Sequence, residues 1–116
     1  MTAADWIEGY TRAWTSNAPD DIRALFTDDA QYRTEPWKPP RVGADAIVAG
    51  WIDDADAPGD FTFSYEVLSD DGSLAFVQGV TDYSANSRPV YDNLWVIRFA
   101  PDGRATHFTE WYSERR

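Results

Sequence analysis

The sequence predicts an α+β fold in which helices from the first half pack on an antiparallel sheet from the second. Apolar residues recur at helical spacing in three segments before residue 53. From residue 61 onward they alternate in strand-length runs that are separated by turn residues. A length of 116 residues suits one domain, so residues 1–116 are expected to form a single folding unit.

The first half contains three predicted helices and one short strand. Thr2 and Asp5 form a capping-box pattern, and Tyr10 and Trp14 belong to the apolar face of the helix that follows. Residues 19–21, a proline and two aspartates, start a shorter helix whose buried side includes Phe26. A strand is expected around residues 30–34, a proline-rich loop over residues 35–40, and the third helix over about residues 44–52.

The second half is predicted to form four strands after an acidic loop at residues 53–60. The strands cover about residues 61–67, 74–83, 92–99 and 105–112. Short turn sequences at residues 71–72, 86–89 and 101–103 join them, which favours an antiparallel meander. We expect one face of this sheet to carry the helices.

Composition excludes several classes of function. Twenty Asp and Glu residues against ten Lys and Arg give a net charge of −10, which disfavours nucleic acid and anionic membranes as partners. The chain has no cysteine and one histidine, His107, so we expect no metal site. No apolar run approaches the roughly 20 residues of a membrane span, and no signal segment is recognisable, which predicts a cytoplasmic location. Aromatic residues, 16% of the chain, can fill a core, line a cavity, or do both.

The order of elements and five short motifs resemble the SnoaL-like branch of the nuclear transport factor 2-like superfamily. The motifs are Phe-Thr-Asp-Asp-Ala at residues 26–30, Pro-Pro at 39–40 followed by Gly43, Trp-Val-Ile-Arg-Phe at 95–99, Asp-Gly-Arg at 102–104 and Glu-Trp-Tyr at 110–112. The resemblance implies a cone-shaped fold, with three N-terminal helices packed on a strongly bent, mainly antiparallel sheet around an apolar pocket. Enzymes of this superfamily place carboxylates in that pocket, where desolvation raises their pKa, and move protons without a metal or organic cofactor. We therefore expect no cofactor.

Ketosteroid isomerases, which belong to the superfamily, allow a comparison by position. Their first-helix tyrosine, a hydrogen-bond donor to the developing oxyanion, corresponds to Tyr10. Their general-base aspartate falls on Thr34, beside Glu35, and their second oxyanion donor, an aspartic acid, falls on Trp95. One of the three functional positions is kept, so the resemblance does not extend to that catalytic machinery. Whether Glu35 or Asp82 replaces the missing aspartate stays open at this point.

Strand alternation predicts which side chains face the pocket. If Trp95 faces inward, Asn93 does too, and the last strand turns Glu110 and Tyr112 inward while His107 points outward. The same alternation predicts further inward-facing residues, namely Tyr32, Thr34, Phe76, Gln78, Val80 and Asp82. The opposite alternation predicts an apolar outer face made of Val77, Tyr83, Leu94, Val96 and Trp111. Because exposed apolar patches of this size usually mark interfaces, we expect a homodimer through this face.

Glu110 is the central candidate for chemistry. A carboxylate among aromatic rings loses hydration, which raises its pKa and suits it to act as a general base near neutral pH. It could equally form an ion pair with an arginine or satisfy hydrogen bonds within the pocket. Tyr10 could donate a hydrogen bond to a substrate oxygen, or it could be a packing residue. The acidic runs at residues 53–56 and 70–71 lack the spacing of a calcium loop and are expected to be solvated.

The sequence therefore favours a cofactor-independent proton-transfer enzyme of the isomerase, cyclase or dehydratase type. Its substrate would be an apolar, oxygen-bearing small molecule, with Glu110 as acid and base and Tyr10 as hydrogen-bond donor. The residues expected to bind substrate are Trp14, Tyr32, Thr34, Trp37, Trp51, Gln78, Asn93, Trp95 and Tyr112. The alternatives are a non-catalytic module that binds a hydrophobic ligand and a structural dimer with a ring-filled interior.

Overall fold

A computed structural model describes residues 2–57 and 59–115. They form three α-helices, α1 (Ala3–Ser16), α2 (Pro19–Arg23) and α3 (Ala44–Asp53), and the six strands of one sheet. The strands are β1 (Phe26–Arg33), β2 (Arg41–Val42), β3 (Thr62–Asp70), β4 (Leu74–Asp82), β5 (Val90–Phe99) and β6 (Ala105–Glu114). Within the described residues, no helix is both long enough and apolar enough to cross a membrane.

The sheet confirms the predicted α+β class and the antiparallel meander of its last four strands. The strand order is β2-β1-β6-β5-β4-β3. β1 runs parallel to β6, whereas the other neighbouring strands are antiparallel. The first strand begins at Phe26, four residues before the predicted start, so Phe26 lies on a strand and not on the second helix. The two-residue strand β2 was not predicted.

Helix α1 begins and ends as its sequence predicts. The Thr2 side chain accepts the backbone N–H of Asp5, and the Asp5 carboxylate accepts the backbone N–H of Thr2, which completes the capping box. At the other end Asn17 adopts a left-handed conformation with φ of 51°, and its N–H donates to the carbonyl of Ala13. This capped helix carries Tyr10 and Trp14 across the sheet.

The core lies between the helices and the inner face of the sheet. The largest fully buried side chains include Trp95, Phe26, Phe108 and Ile97. Tyr10 contacts the rings of Trp95 and Phe108, with centroid distances of 4.7 and 5.5 Å. Aromatic rings thus join α1 to β5 and β6, and burial of their apolar area stabilises this arrangement.

The prediction of which β4 side chains point inward is wrong. Val77 and Thr81 are buried, whereas Gln78 is exposed, because Val77 pairs with Trp95 and Gln78 pairs with the outward-facing Leu94. A Cβ at Gly79 would lie 2.6 Å from the ring of Phe63, so a larger residue at this inward position would displace that ring. The residues wrongly predicted to face inward are Phe76, Gln78, Val80 and Asp82. The residues wrongly predicted to face outward are Val77 and Tyr83.

Candidate functional site

A cavity of about 300 Å³ lies at one end of the molecule, between the helices and the strand ends. Its buried walls, each less than a tenth exposed, are Tyr10, Tyr32, Trp51, Thr81, Tyr83, Asn93 and Trp95. The volume lies at the lower end of the range for small-molecule pockets. The full lining is Tyr10, Trp14, Tyr32, Thr34, Arg41, Trp51, Asp54, Ala55, Asp56, Thr81, Tyr83, Arg88, Tyr91, Asn93, Trp95, Glu110 and Tyr112.

Glu110 lies on β6 in direct register with Trp95 on β5. Its Oε2 atom accepts two hydrogen bonds, from Trp95 Nε1 at 2.7 Å and from Asn93 Nδ2 at 2.8 Å. Burial raises the pKa of Glu110 above its ordinary value, and these two donors partly oppose the rise because they stabilise the carboxylate. Among the described residues, Oε1 accepts no hydrogen bond. Every fully buried side-chain oxygen in that part of the chain has a hydrogen-bond partner, so Oε1 is not fully buried and has access to the cavity.

The orientation of Asn93 is fixed by Thr81. The Thr81 hydroxyl donates to Asn93 Oδ1 at 2.8 Å, which directs the amide nitrogen of Asn93 toward Glu110. Both residues are buried, and they are neighbours on the inner faces of β4 and β5. This chain of hydrogen bonds holds the Glu110 carboxylate in one position, with one oxygen bound and the other available.

Two buried tyrosines form a second polar pair in the cavity. The hydroxyls of Tyr10 and Tyr32 lie 2.8 Å apart, and either can donate to the other. Burial is the main reason that the pKa of each phenol is raised, so both stay protonated at neutral pH. Two hydroxyls carry two protons and share one hydrogen bond, so the second proton is available to a ligand.

Asp56 connects three segments at the mouth of the cavity. Its Oδ2 atom accepts from Trp14 Nε1 at 2.9 Å and from the Tyr83 hydroxyl at 2.8 Å. Its Oδ1 atom lies 3.4 Å from Nη1 of Arg88, and its backbone carbonyl accepts from Asn17 Nδ2 at 2.9 Å. The expectation that this aspartate is solvated is wrong, because its side chain is only 16% exposed.

Most of the predicted site residues meet in this cavity. Trp37 does not, since it is 76% exposed on the proline-rich loop, and Gln78 lies on the outer face of the sheet. The residues that do line it are Tyr10, Trp14, Tyr32, Thr34, Trp51, Asn93, Trp95, Glu110 and Tyr112.

Neither residue considered as a replacement for the family aspartate lines the cavity. Glu35 forms an ion pair with Lys38 at 3.0 Å and accepts a 3.4 Å hydrogen bond from the Tyr112 hydroxyl. Hydrogen bonds from Ser84 lower the pKa of Asp82, which caps the turn after β4. His107 is exposed on the outer face, and within residues 2–57 and 59–115 no three potential metal ligands cluster.

Sequence reasoning missed several residues of the cavity. Thr81 and Tyr83 would be predicted as cavity residues if Val77 and Gly79 were assigned to the inner face, because the same alternation along β4 continues to them. The remaining ones lie on the second strand, on two loops and at the start of β5, and no local pattern identifies them. They are Arg41, Asp54, Ala55, Asp56, Arg88 and Tyr91.

Comparison with known proteins identifies the family. Residues 7–108 match the SnoaL-like domain, and the chain belongs to that family. Comparison with curated protein sequences found no match.

Solved structures with the nuclear transport factor 2-like fold are similar to this one. An NTF-2 like protein from Burkholderia xenovorans superposes with a TM-score of 0.75 at 15% identity, over 97% of this chain and 84% of that chain. A steroid delta-isomerase from Pseudomonas aeruginosa gives 0.67 at 20% identity, over 96% and 79%. The epoxide hydrolase/cyclase-like enzyme SalBIII, described in pyran ring formation in the polyether salinomycin, gives 0.72 at 16% identity, over 95% and 89%. At these identities the likeness shows the fold alone.

Proposed function

We propose that this protein is a cofactor-independent enzyme that moves a proton on an apolar, oxygen-bearing small molecule. The reaction would be of the isomerase, cyclase or dehydratase type. Membership of the SnoaL-like family supports this class, and so does the likeness of the fold to an isomerase and to a cyclase-like enzyme. The position of Glu110 is the observation that carries the proposal.

Glu110 has the properties that a general base requires. The two donors on Oε2 fix the carboxylate, Oε1 has access to the cavity, and burial raises its pKa toward the working range of a base. No lysine or arginine in the described residues forms an ion pair with it. Its proton affinity is therefore available to a substrate.

The tyrosine pair supplies the complementary group. When Oε1 of Glu110 removes a proton from a carbon next to a carbonyl, the electron pair moves to the carbonyl oxygen. The free hydroxyl proton of the Tyr10–Tyr32 pair donates a hydrogen bond to that oxygen and stabilises its charge. Glu110 then returns the proton to another carbon, which completes an isomerisation, or gives it to the hydroxyl group that departs from the intermediate, which leaves as water in a dehydration.

Deuterium exchange tests this proposal without knowledge of the natural substrate. Small cyclic ketones such as 2-tetralone are incubated with the protein in D₂O, and loss of the proton signal next to the carbonyl is followed by NMR. We expect catalysed exchange by the unmodified protein and its loss in Glu110→Gln, while Glu8→Gln on the exposed face of α1 retains it. Exchange at an unchanged rate in Glu110→Gln would show that another group is the base.

A binding module without catalysis is the second candidate. The two positions at which ketosteroid isomerases carry catalytic aspartates hold Thr34 and Trp95, and Trp95 already donates its N–H to Glu110. In that case small ketones would raise the melting temperature but would show no catalysed exchange.

We also propose that two copies associate through the outer face of the sheet. Phe76, Leu94 and Trp111 are each more than a third exposed there. Leu94 pairs directly with Trp111 on β6, so their side chains form one continuous apolar surface.

A further inference from the structure

We propose that Arg88 binds the carboxylate of the ligand, so that the cavity selects small aromatic or apolar carboxylates. The proposal rests on one part of the proposed function, namely that the cavity is a small-molecule site. It does not depend on catalysis by Glu110. A ligand of this class would place its anionic end at the mouth and its apolar body among the rings.

The guanidinium of Arg88 is held on one face and at one nitrogen. Its Cζ atom lies 4.2 Å from the centroid of the Tyr83 ring, which is a cation–π contact. Nη1 lies 3.4 Å from Oδ1 of Asp56, a long contact for an ion pair. Within residues 2–57 and 59–115, Nε and Nη2 of Arg88 make no hydrogen bond. One guanidinium edge therefore keeps two parallel N–H donors, which is the geometry that binds a carboxylate.

The backbone around Arg88 fixes this side chain at the mouth. The carbonyl of Tyr83 accepts the N–H groups of Asn86 and Arg88, and the N–H of Tyr83 donates to the carbonyl of Pro89. Ser87 adopts a left-handed conformation with φ of 58°, which closes the turn between β4 and β5. Tyr83 and Arg88 are thus held together by their main chains as well as by their side chains.

The other charged groups of the cavity leave this role to Arg88. Arg41 donates to Asp54 at 2.9 Å, so its charge is already paired at a normal distance. Asp56 accepts three side-chain donors, including the tight pair from Trp14 and Tyr83, and has little capacity for a ligand. Glu110 is bound at Oε2 by Trp95 and Asn93.

Three probes with the same carbon skeleton test the proposal, namely 3-phenylpropanoate, 3-phenylpropanamide and 3-phenylpropylammonium. Trp14, Trp51 and Trp95 line the cavity, so each titration can be followed by tryptophan fluorescence and checked by calorimetry. We expect the carboxylate to bind about tenfold or more tightly than the amide, and the ammonium to bind most weakly. Added salt should weaken the binding of the carboxylate and leave that of the amide almost unchanged.

Substitution of Arg88 identifies the group responsible. Arg88→Gln should remove the preference for the carboxylate, and Arg88→Lys should keep part of it, because lysine retains the charge but loses the parallel donors. Arg23→Gln is the matched control. Arg23 also forms an ion pair with an aspartate and is likewise 46% exposed, but it lies outside the cavity. Unchanged melting temperatures of the variants would exclude a folding effect.

Several results would overturn the proposal. One is that the amide or the ammonium binds the unmodified protein as tightly as the carboxylate, or more tightly. A second is that Arg88→Gln still prefers the carboxylate. A third is that no probe binds at millimolar concentration. The deuterium exchange that tests Glu110 is a separate measurement. Carboxylate binding without exchange would leave this proposal standing and reject catalysis, whereas exchange without a carboxylate preference would do the reverse.

Discussion

The indole N–H of Trp95 donates to Oε2 of Glu110 across two neighbouring strands, at 2.7 Å. This contact has two consequences for any reaction in the cavity. It fixes the carboxylate, and it uses the donor of Trp95, which therefore cannot also stabilise a substrate oxygen. That task falls to the paired hydroxyls of Tyr10 and Tyr32, whose second proton is free.

Glu110 should make stability depend on pH in a definite direction. Its pKa is raised on folding, mainly by burial, so the folded protein holds this proton more tightly than the unfolded chain. The favourable contribution of this group is complete below the ordinary glutamate pKa and is lost as the pH rises through the raised value. Glu110→Gln should therefore gain stability relative to the unmodified protein as the pH rises above the ordinary glutamate pKa of about 4.

Thermal unfolding at several pH values measures this difference. Glu8→Gln, at an exposed position on α1, shows the effect of removing a carboxylate outside the cavity. A difference between Glu110→Gln and the unmodified protein that stays constant, or that changes in the opposite direction, would contradict the assignment.

The Tyr10–Tyr32 pair should appear as an energetic coupling. Tyr10→Phe or Tyr32→Phe alone removes the shared hydrogen bond and leaves the remaining buried hydroxyl without that partner, at a cost of about 1–2 kcal/mol in the free energy of unfolding. The double variant removes both hydroxyls, so its cost should be smaller than the sum of the two by about 1 kcal/mol. Urea denaturation of the four proteins measures the coupling, and strictly additive losses would show that the pair contributes none.

Asp56 should matter more for stability than its neighbour Asp54. Asp56→Ala deprives the Trp14 N–H and the Tyr83 hydroxyl of their acceptor, which should cost about 1–3 kcal/mol. Asp54→Ala removes one ion pair with Arg41 from a side chain that is 75% exposed, and we expect a change within about 0.5 kcal/mol. Chemical denaturation compares the two variants, and equal losses would mean that the hydrogen bonds of Asp56 contribute little.

The sequence predicted the site best where a short turn fixes the register of two strands. Residues 100–104 join β5 and β6 tightly, so alternation along both strands correctly brings Asn93, Trp95 and Glu110 to one face. On β4, apolar residues occupy both faces, and hydrophobicity alone cannot decide between them. Side-chain size favours the observed orientation, because a residue larger than Gly79 at this position would have to displace the Phe63 ring.

The mouth of the cavity could not be predicted in the same way. Asp56 and Arg88 lie on loops that are 32 residues apart in the sequence, and only the tertiary fold brings them together. Neither has a neighbouring residue whose spacing indicates a role. In contrast, Trp37 is an aromatic residue of the type expected in an apolar pocket. It lies on a loop where three prolines exclude strand pairing, and its side chain is exposed.

The outer face of the sheet should determine the oligomeric state. Phe76, Leu94 and Trp111 expose apolar area on adjacent strands, and burial of that area against a second copy would stabilise a dimer. We expect light scattering to give twice the monomer mass of 13.1 kDa.

Leu94→Asp places a charge in the middle of this surface and should shift the protein to the monomer. Ile52→Asp is the control, since Ile52 is similarly exposed but lies on α3, and it should leave the dimer intact. A mass near 13.1 kDa for the unmodified protein at working concentration would exclude association through this face.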